Sequence, residues 1–175
     1  GEGTAMLVME TADHAVKRGA RILAEVLGYG MGMDAEGFVA PNLGTGGLRH
    51  AVDLALKRAN VSANQIGLIV WAPQGHRQDL KVLKVCEEIF GDAFAQLPLV
   101  TTTFNTGYIE AASILVSLAA ALSALEAGTE LWPQRTGAAD LDRRVLRAPP
   151  EFILALGGTD FGYNFAAVLR RGWKA

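Results

Sequence analysis

The side chains able to do chemistry in this chain are few and scattered. His14, His50 and His76 lie far apart and lack the spacing that lets imidazoles share a metal ion. Cys86 falls in the apolar stripe Leu80, Leu83, Cys86 and Phe90, where a thiol acts as a small hydrophobe rather than a nucleophile. Glu87 and Glu88 are adjacent, so on a helix they diverge and read as a solvated face. Gly44-Thr45-Gly46-Gly47 runs into a helix, so its amides could cradle an anion. Its spacing fits neither a P-loop nor a dinucleotide fingerprint, and the reading it supports is a flexible loop entering a helix. No Gly-x-Ser-x-Gly elbow occurs. Residue types and spacing alone predict no catalytic constellation, no metal site and no cofactor.

The 175 residues suffice for a single domain, 1–175, with a real core. Half of them are hydrophobic, 19% are charged and mean hydropathy is +0.22, which is apolar for a free-standing domain. The surplus predicts a surface that a partner covers. A net charge of −2 leaves no electrostatic footprint for nucleic acid. One cysteine excludes an intrachain disulfide and fits a reducing, cytoplasmic setting. The longest apolar helix, near 108–125, contains Glu110 and is rich in Ala and Ser, so it is expected in a core rather than in a membrane. No secretory leader is expected. The opening Gly1-Glu2-Gly3 leads straight into the apolar run 5–9, which predicts a piece of something longer.

The elements that must position any site follow from periodicity. Residues 5–9 read as a short buried strand, and Thr11 as the cap of a brief helix stopped by Gly19. Ile22 to Gly28 is a second strand, followed by a glycine-rich loop (Gly28, Gly30, Gly32, Gly37). Leu48, Ala51, Val52, Ala55 and Ala59 keep helical spacing, and Asn60 can end that helix. Ile66 to Trp71 is an all-apolar run, as in a strand covered on both faces. The stripe through Leu80 and Phe90 predicts another helix, Leu97 to Val100 a strand, and 107–126 a helix with Gly128 after it. Residues 129–150, with Pro133, Gly137, Pro149 and Pro150, read as a long surface connection. Phe152 to Leu156 and Phe165 to Leu169 are closing strands joined by Gly157-Gly158-Thr159-Asp160. The order β-α-β-α-β-α-β-α-β-β predicts an α/β layered domain with helices on both faces.

Thr101-Thr102-Thr103-Phe104-Asn105-Thr106-Gly107-Tyr108 resembles the segment of β-ketoacyl synthases that carries a catalytic Lys and, after Thr-Gly, a catalytic His. Gly1-Glu2-Gly3, His14-Ala15, Arg18-Gly19-Ala20, the run 24–30 and Ile89-Phe90-Gly91 are similar to further segments of the C-terminal half of those enzymes. The chemical places depart from the pattern. Thr103 stands where the Lys would be and Tyr108 where the His would be. Counting back from Phe90-Gly91 without a gap puts Trp71 at the place of the other catalytic His, and Asp79 at a frequently acidic position. The ending 161–171 is similar to that of chain length factors, the ketosynthase-β subunits of type II polyketide systems.

The resemblance implies a thiolase-like half-fold, layered α-β-α around a five-stranded mixed sheet, with the N-terminal half absent. It also implies a non-catalytic subunit that pairs with a ketosynthase and shapes the tunnel in which an acyl or polyketide chain grows. Trp71, Phe104, Tyr108 and Phe161 are then expected to wall that tunnel by volume. The expected partners are a ketosynthase subunit or the chain's own N-terminal half, in a dimer, with acyl carrier protein engaged indirectly and no membrane. Two alternatives stay open: part of an active synthase whose chemistry lies elsewhere, and a stand-alone ligand-binding module on half a fold.

Overall fold

A computed structural model describes residues 1–34, 44–75, 77–129, 146, 148–159 and 162–173 of the chain. Along it run α1 (Ala12–Lys17), β1 (Ala24–Met33), α2 (Gly46–Ala59), β2 (Ile66–Trp71), α3 (Arg77–Phe90), β3 (Leu99–Val100), α4 (Thr103–Thr106), α5 (Ala112–Ala127), β4 (Phe152–Gly158) and β5 (Tyr163–Arg171). The strands form one five-stranded mixed sheet in the order β1-β5-β4-β2-β3. β2 runs parallel to β3 and β4, while β5 is antiparallel to β4 and β1.

The apolar runs sit where both faces are covered. Alternate residues of β2 and β4 divide between two cores, because strand side chains alternate sides. Ile69, Leu154 and Leu156 pack with Leu48 and Val52 of α2 and Val85 and Cys86 of α3. Leu68, Val70 and Ile153 pack with Ile114, Leu118, Leu122 and Leu125 of α5 on the opposite face. The three-layer α/β arrangement expected from the sequence is therefore present.

Several local expectations hold. Thr11 accepts the His14 N–H at 3.4 Å, and Gly19 leaves α1 with φ 68°. Asn60 ends α2 in the left-handed region, as Gly128 ends α5.

Gly28, Gly30 and Gly32 do not form a loop. β1 continues through Gly28, Gly30 and Gly32 to Met33; Gly37 lies outside the described residues. These glycines share one face, and α2 lies directly on it. A Cβ on Gly30 would sit 2.0 Å from the carbonyl oxygen of Ala51, and one on Gly32 2.0 Å from that of Gly47. The absent side chains thus admit a helix backbone, a second meaning of strand glycine besides a turn. At the outer rim of β1, Arg58 of α2 reaches over to donate to the Tyr29 carbonyl at 2.9 Å and stacks 4.9 Å from the Tyr29 ring centroid.

Other expectations are corrected. Residues 5–9 are not a buried strand: they pair with no strand among the described residues, and Met6, Val8 and Met9 are 86%, 80% and 75% exposed. Apolar composition makes a buried strand only where a sheet offers an edge, and this run meets neither β1 nor β3. The helix expected over 107–126 is split, because Gly107 (φ 74°) and Glu110 (φ 52°) leave helical geometry between α4 and α5. The Ser113 hydroxyl then accepts the Ile109 N–H at 2.8 Å at the start of α5. The strand expected over 97–100 is confined to Leu99–Val100. β4 absorbs Gly157 and Gly158, and Asp160 is outside the described residues, as is most of 129–150.

One broad apolar area lies open. α5 covers β2 and β4, whereas Tyr29, Met31 and Met33 of β1, with Tyr163 of β5, are exposed on the same side of the sheet. The chain 1–175 produced alone is expected to self-associate with rising concentration in sedimentation velocity, since exposed apolar surface of this kind drives association. A single monomeric species at every concentration would contradict this.

Candidate functional site

Because β2, β3 and β4 are parallel, their carboxyl ends share one rim of the sheet, the rim where open α/β sheets bind ligands. Trp71 ends β2, and the segment Thr101 to Tyr108 follows β3. Val70 pairs with Val100, so Trp71 and Thr101 leave the sheet side by side. The fold thus brings both segments singled out in the sequence to one rim.

Their environments differ. Trp71 is buried against the α2–α3 side of the sheet. Thr103 opens α4 and is buried; its hydroxyl accepts from the Thr101 hydroxyl at 2.9 Å, and its N–H donates back to Thr101 Oγ1 at 3.1 Å. The Thr102 N–H donates to Ser117 Oγ at 3.0 Å, and the two hydroxyls lie 3.1 Å apart. These buried hydroxyls seat α4 on α5, and none can carry the positive charge of a Lys. Phe104 is exposed and Tyr108 half-buried, with its carbonyl accepting from the Gly1 amino group at 3.3 Å. Phe161 lies outside the described residues.

The most elaborate polar feature of the rim is one that sequence reasoning missed. Asp34, just past β1, pairs with Lys81 of α3, and both are buried. Asp34 also accepts from Asn164 Nδ2 at 2.8 Å and from the Gly47 N–H at 2.7 Å. Burial opposes ionisation of Asp34, but the bonds from Lys81, Asn164 and Gly47 outweigh it and hold the carboxyl below its ordinary range. Of the amides expected as a possible anion cradle at Gly44–Gly47, that of Gly47 does bind an anion, the chain's own Asp34. Gly47 must also be small, because a Cβ there would lie 2.7 Å from Asp34 Oδ1 and 2.8 Å from Asn164 Nδ2.

A signal for Lys81 was present in the sequence. It lies four residues before Val85, so it shares that residue's inward face, while Leu80 is 63% exposed. Only the first position of the stripe is displaced, from Leu80 to Lys81, while Cys86 keeps its inward place, and the lysine there meets Asp34. Asp79 closes the same corner: its carboxylate accepts the Gln74 N–H at 2.9 Å and the Gly75 N–H at 2.8 Å, fixing the entry to α3.

Between these groups is a cavity of about 30 Å³ bounded by Trp71, Gln74, Lys81, Leu156, Gly158 and Asn164. It has room for roughly two water molecules. Thr103, Phe104 and Tyr108 do not line it. Gln74 Oε1 is buried with no hydrogen-bond partner among the described residues. Of the remaining candidates, His14 bonds to Glu10 on the surface, His50 is exposed, His76 is outside the described residues and Cys86 is buried in the core. Among the described residues no cluster of three or more His, Cys, Asp or Glu could hold a metal ion, and no helix is long and apolar enough to cross a membrane.

Comparison with known proteins is consistent across sequence and structure. The family described as "Beta-ketoacyl synthase, C-terminal domain" matches residues 23–135. 3-Oxoacyl-[acyl-carrier-protein] synthase 2 of Rhizobium meliloti is 35% identical over 109 residues, covering 62% of this chain and 26% of that protein. Nodulation protein E of Rhizobium meliloti is 27% identical over 96% of this chain and 44% of its own length. Among solved structures, a type II PKS acyl-carrier protein in complex with its ketosynthase superposes with a TM-score of 0.80 at 23% identity, over 93% of this chain and 42% of that one. The ishigamide ketosynthase/chain length factor superposes with a TM-score of 0.76 at 27% identity, over 93% of this chain and 41% of that one. The chain thus spans less than half the length of these relatives.

Proposed function

Since this chain belongs to the β-ketoacyl synthase C-terminal domain family, we propose that it is the C-terminal part of a non-catalytic, chain-length-factor-like subunit. In this reading the subunit pairs with a ketosynthase in fatty-acid or polyketide biosynthesis and bounds the space in which the growing chain lies, while acyl carrier protein is engaged by the pair. The cytoplasm is the proposed setting.

The observation that carries the reading is the identity and engagement of the residues at the family's catalytic places. Decarboxylative condensation needs hydrogen-bond donors preorganised toward a developing oxyanion. At the places that the resemblance of short segments assigns to those groups stand Trp71, packed into the core, Thr103, enclosed in a hydroxyl chain, and Tyr108. Trp71 contributes volume, and with Lys81 it lines the rim cavity of about 30 Å³. Phe104 and Tyr108, outside that cavity, would act on the face turned toward a partner, and Phe161 remains a proposed wall on the strength of its sequence position.

The full encoded protein, purified alone, is expected to release no carbon dioxide from malonyl-carrier protein above background, and to support chain elongation only beside an active ketosynthase. Decarboxylation by the protein alone would remove the reading. The similarity to proteins called synthases, at 35% identity for the Rhizobium meliloti protein, favours a second reading as part of a working condensing enzyme with its chemistry elsewhere. The stand-alone module is disfavoured by the open apolar face around Met31 and Met33.

A further inference from the structure

We propose that the rim cavity beside Trp71 distinguishes oxygenated from fully reduced acyl chains, with Lys81 and Gln74 reading the oxygen. This rests on the proposal that an acyl or polyketide chain passes this rim.

The cavity offers two complementary groups. An ammonium carries three donors, and the bond that Lys81 makes among the described residues goes to Asp34. Asp34 already accepts from Lys81, Asn164 and the Gly47 amide, so the remaining Lys81 protons need an acceptor from elsewhere. Gln74 Oε1, buried in the same lining, needs a donor. A bound group that accepts from Lys81 and donates to Gln74 satisfies both at once. A hydroxyl does so, and so does the enol form of a β-ketone. A methylene or methyl group leaves both unpaired, which is the costlier state for buried polar atoms.

The charge balance argues against an anion. Lys81 is neutralised by Asp34, and Asp79 adds a carboxylate to the lining, so no net positive charge faces the cavity. The volume of about 30 Å³ suits one such polar group rather than a whole chain. Leu48 and Leu156, also in the lining, leave apolar wall for the carbons on either side.

The test is isothermal titration of the full encoded protein with the N-acetylcysteamine thioesters of octanoate and of 3-hydroxyoctanoate. The hydroxylated thioester is expected to bind about five- to tenfold more tightly, the factor that a net hydrogen bond gives. Gln74→Leu, which leaves the Lys81–Asp34 pair in place, is expected to bring the two affinities together by weakening the hydroxylated ligand alone. Equal binding of both thioesters by the unaltered protein, or a preference that survives Gln74→Leu, overturns this inference and leaves the chain-bounding reading standing. Binding of neither thioester, with the cavity holding water alone, also overturns this inference, whereas the chain-bounding reading falls only on the decarboxylation and elongation assays beside a ketosynthase.

Discussion

Lys81→Met is expected to destabilise the fold by about 3–5 kcal/mol, the range for removing one partner from a buried ion pair. The side chains of Lys81 and Asp34 are 5% and 4% exposed, so bulk solvent compensates the lost partner poorly. Asn164 and the Gly47 amide would remain on Asp34, which sets the cost below that of an isolated buried charge. Urea unfolding checks this: the midpoint should fall with the slope unchanged. The pair Lys81→Met with Asp34→Leu should recover much of the loss, because a well-packed apolar pair often matches a buried ionic one. The acid limb gives a separate reading. Asp34 has its folded-state pKa depressed below the ordinary 3.8, so the stability it contributes is present above that value and drains away as pH falls from there through the lower folded-state value. In Lys81→Met burial is no longer outweighed in the same way, and that acid limb should flatten. An unchanged midpoint and an unchanged acid limb would show that the ion pair stabilises nothing.

Gly30→Val is the second large effect. Its first side-chain atom would stand 2.0 Å from the Ala51 carbonyl oxygen, and that obstacle is helix backbone rather than a side chain able to swing away. α2 must lift from β1, taking Leu48 and Val52 out of the core they share with Leu154 and Leu156. Overpacking typically costs about 1–3 kcal/mol, and a rigid obstacle places this variant at or beyond the top of that range. Gly46→Ala is the control. Nothing lies within 4 Å of a Cβ there, so it should be neutral or stabilising by up to about 1 kcal/mol. Thermal melts of the two variants should move in opposite directions or, for Gly46→Ala, not at all. Equal losses would show that close approach is not what these glycines provide.

The sequence was informative wherever a single element decides its own form. Ile66 to Trp71 reads as a doubly covered strand from composition alone, and Asn60 and Gly128 mark helix ends by local geometry. It was misleading where a second element decides. Gly28, Gly30 and Gly32 look like a loop until α2 is laid on them. Lys81 looks like surface until Asp34, 47 residues away, is brought beneath it. Residues 5–9 look like a strand, but the run meets neither edge of the sheet, β1 or β3, and Met6 and Val8 stay exposed. The same division runs through the candidate site. Trp71, Thr103 and Tyr108 were found by likeness of short segments, whereas the cavity and its ion pair draw on Asp34, Lys81 and Asn164, which no local pattern connects.

The strand order has a consequence for the chain as it is made. β1 meets no strand of the sheet except β5, and Met33 pairs with Tyr163 across a span like the 130 residues between Asp34 and Asn164. A ribosome adds about 5–20 residues per second, so β1 waits on the order of ten seconds for its hydrogen-bonding neighbour. During that interval α2 is the element at hand. It follows within a few turns of chain, fits the glycine track closely, and carries Arg58 to the Tyr29 carbonyl. The helix that later serves as an outer layer is thus available first as a nurse, shielding a strand made long before its mate.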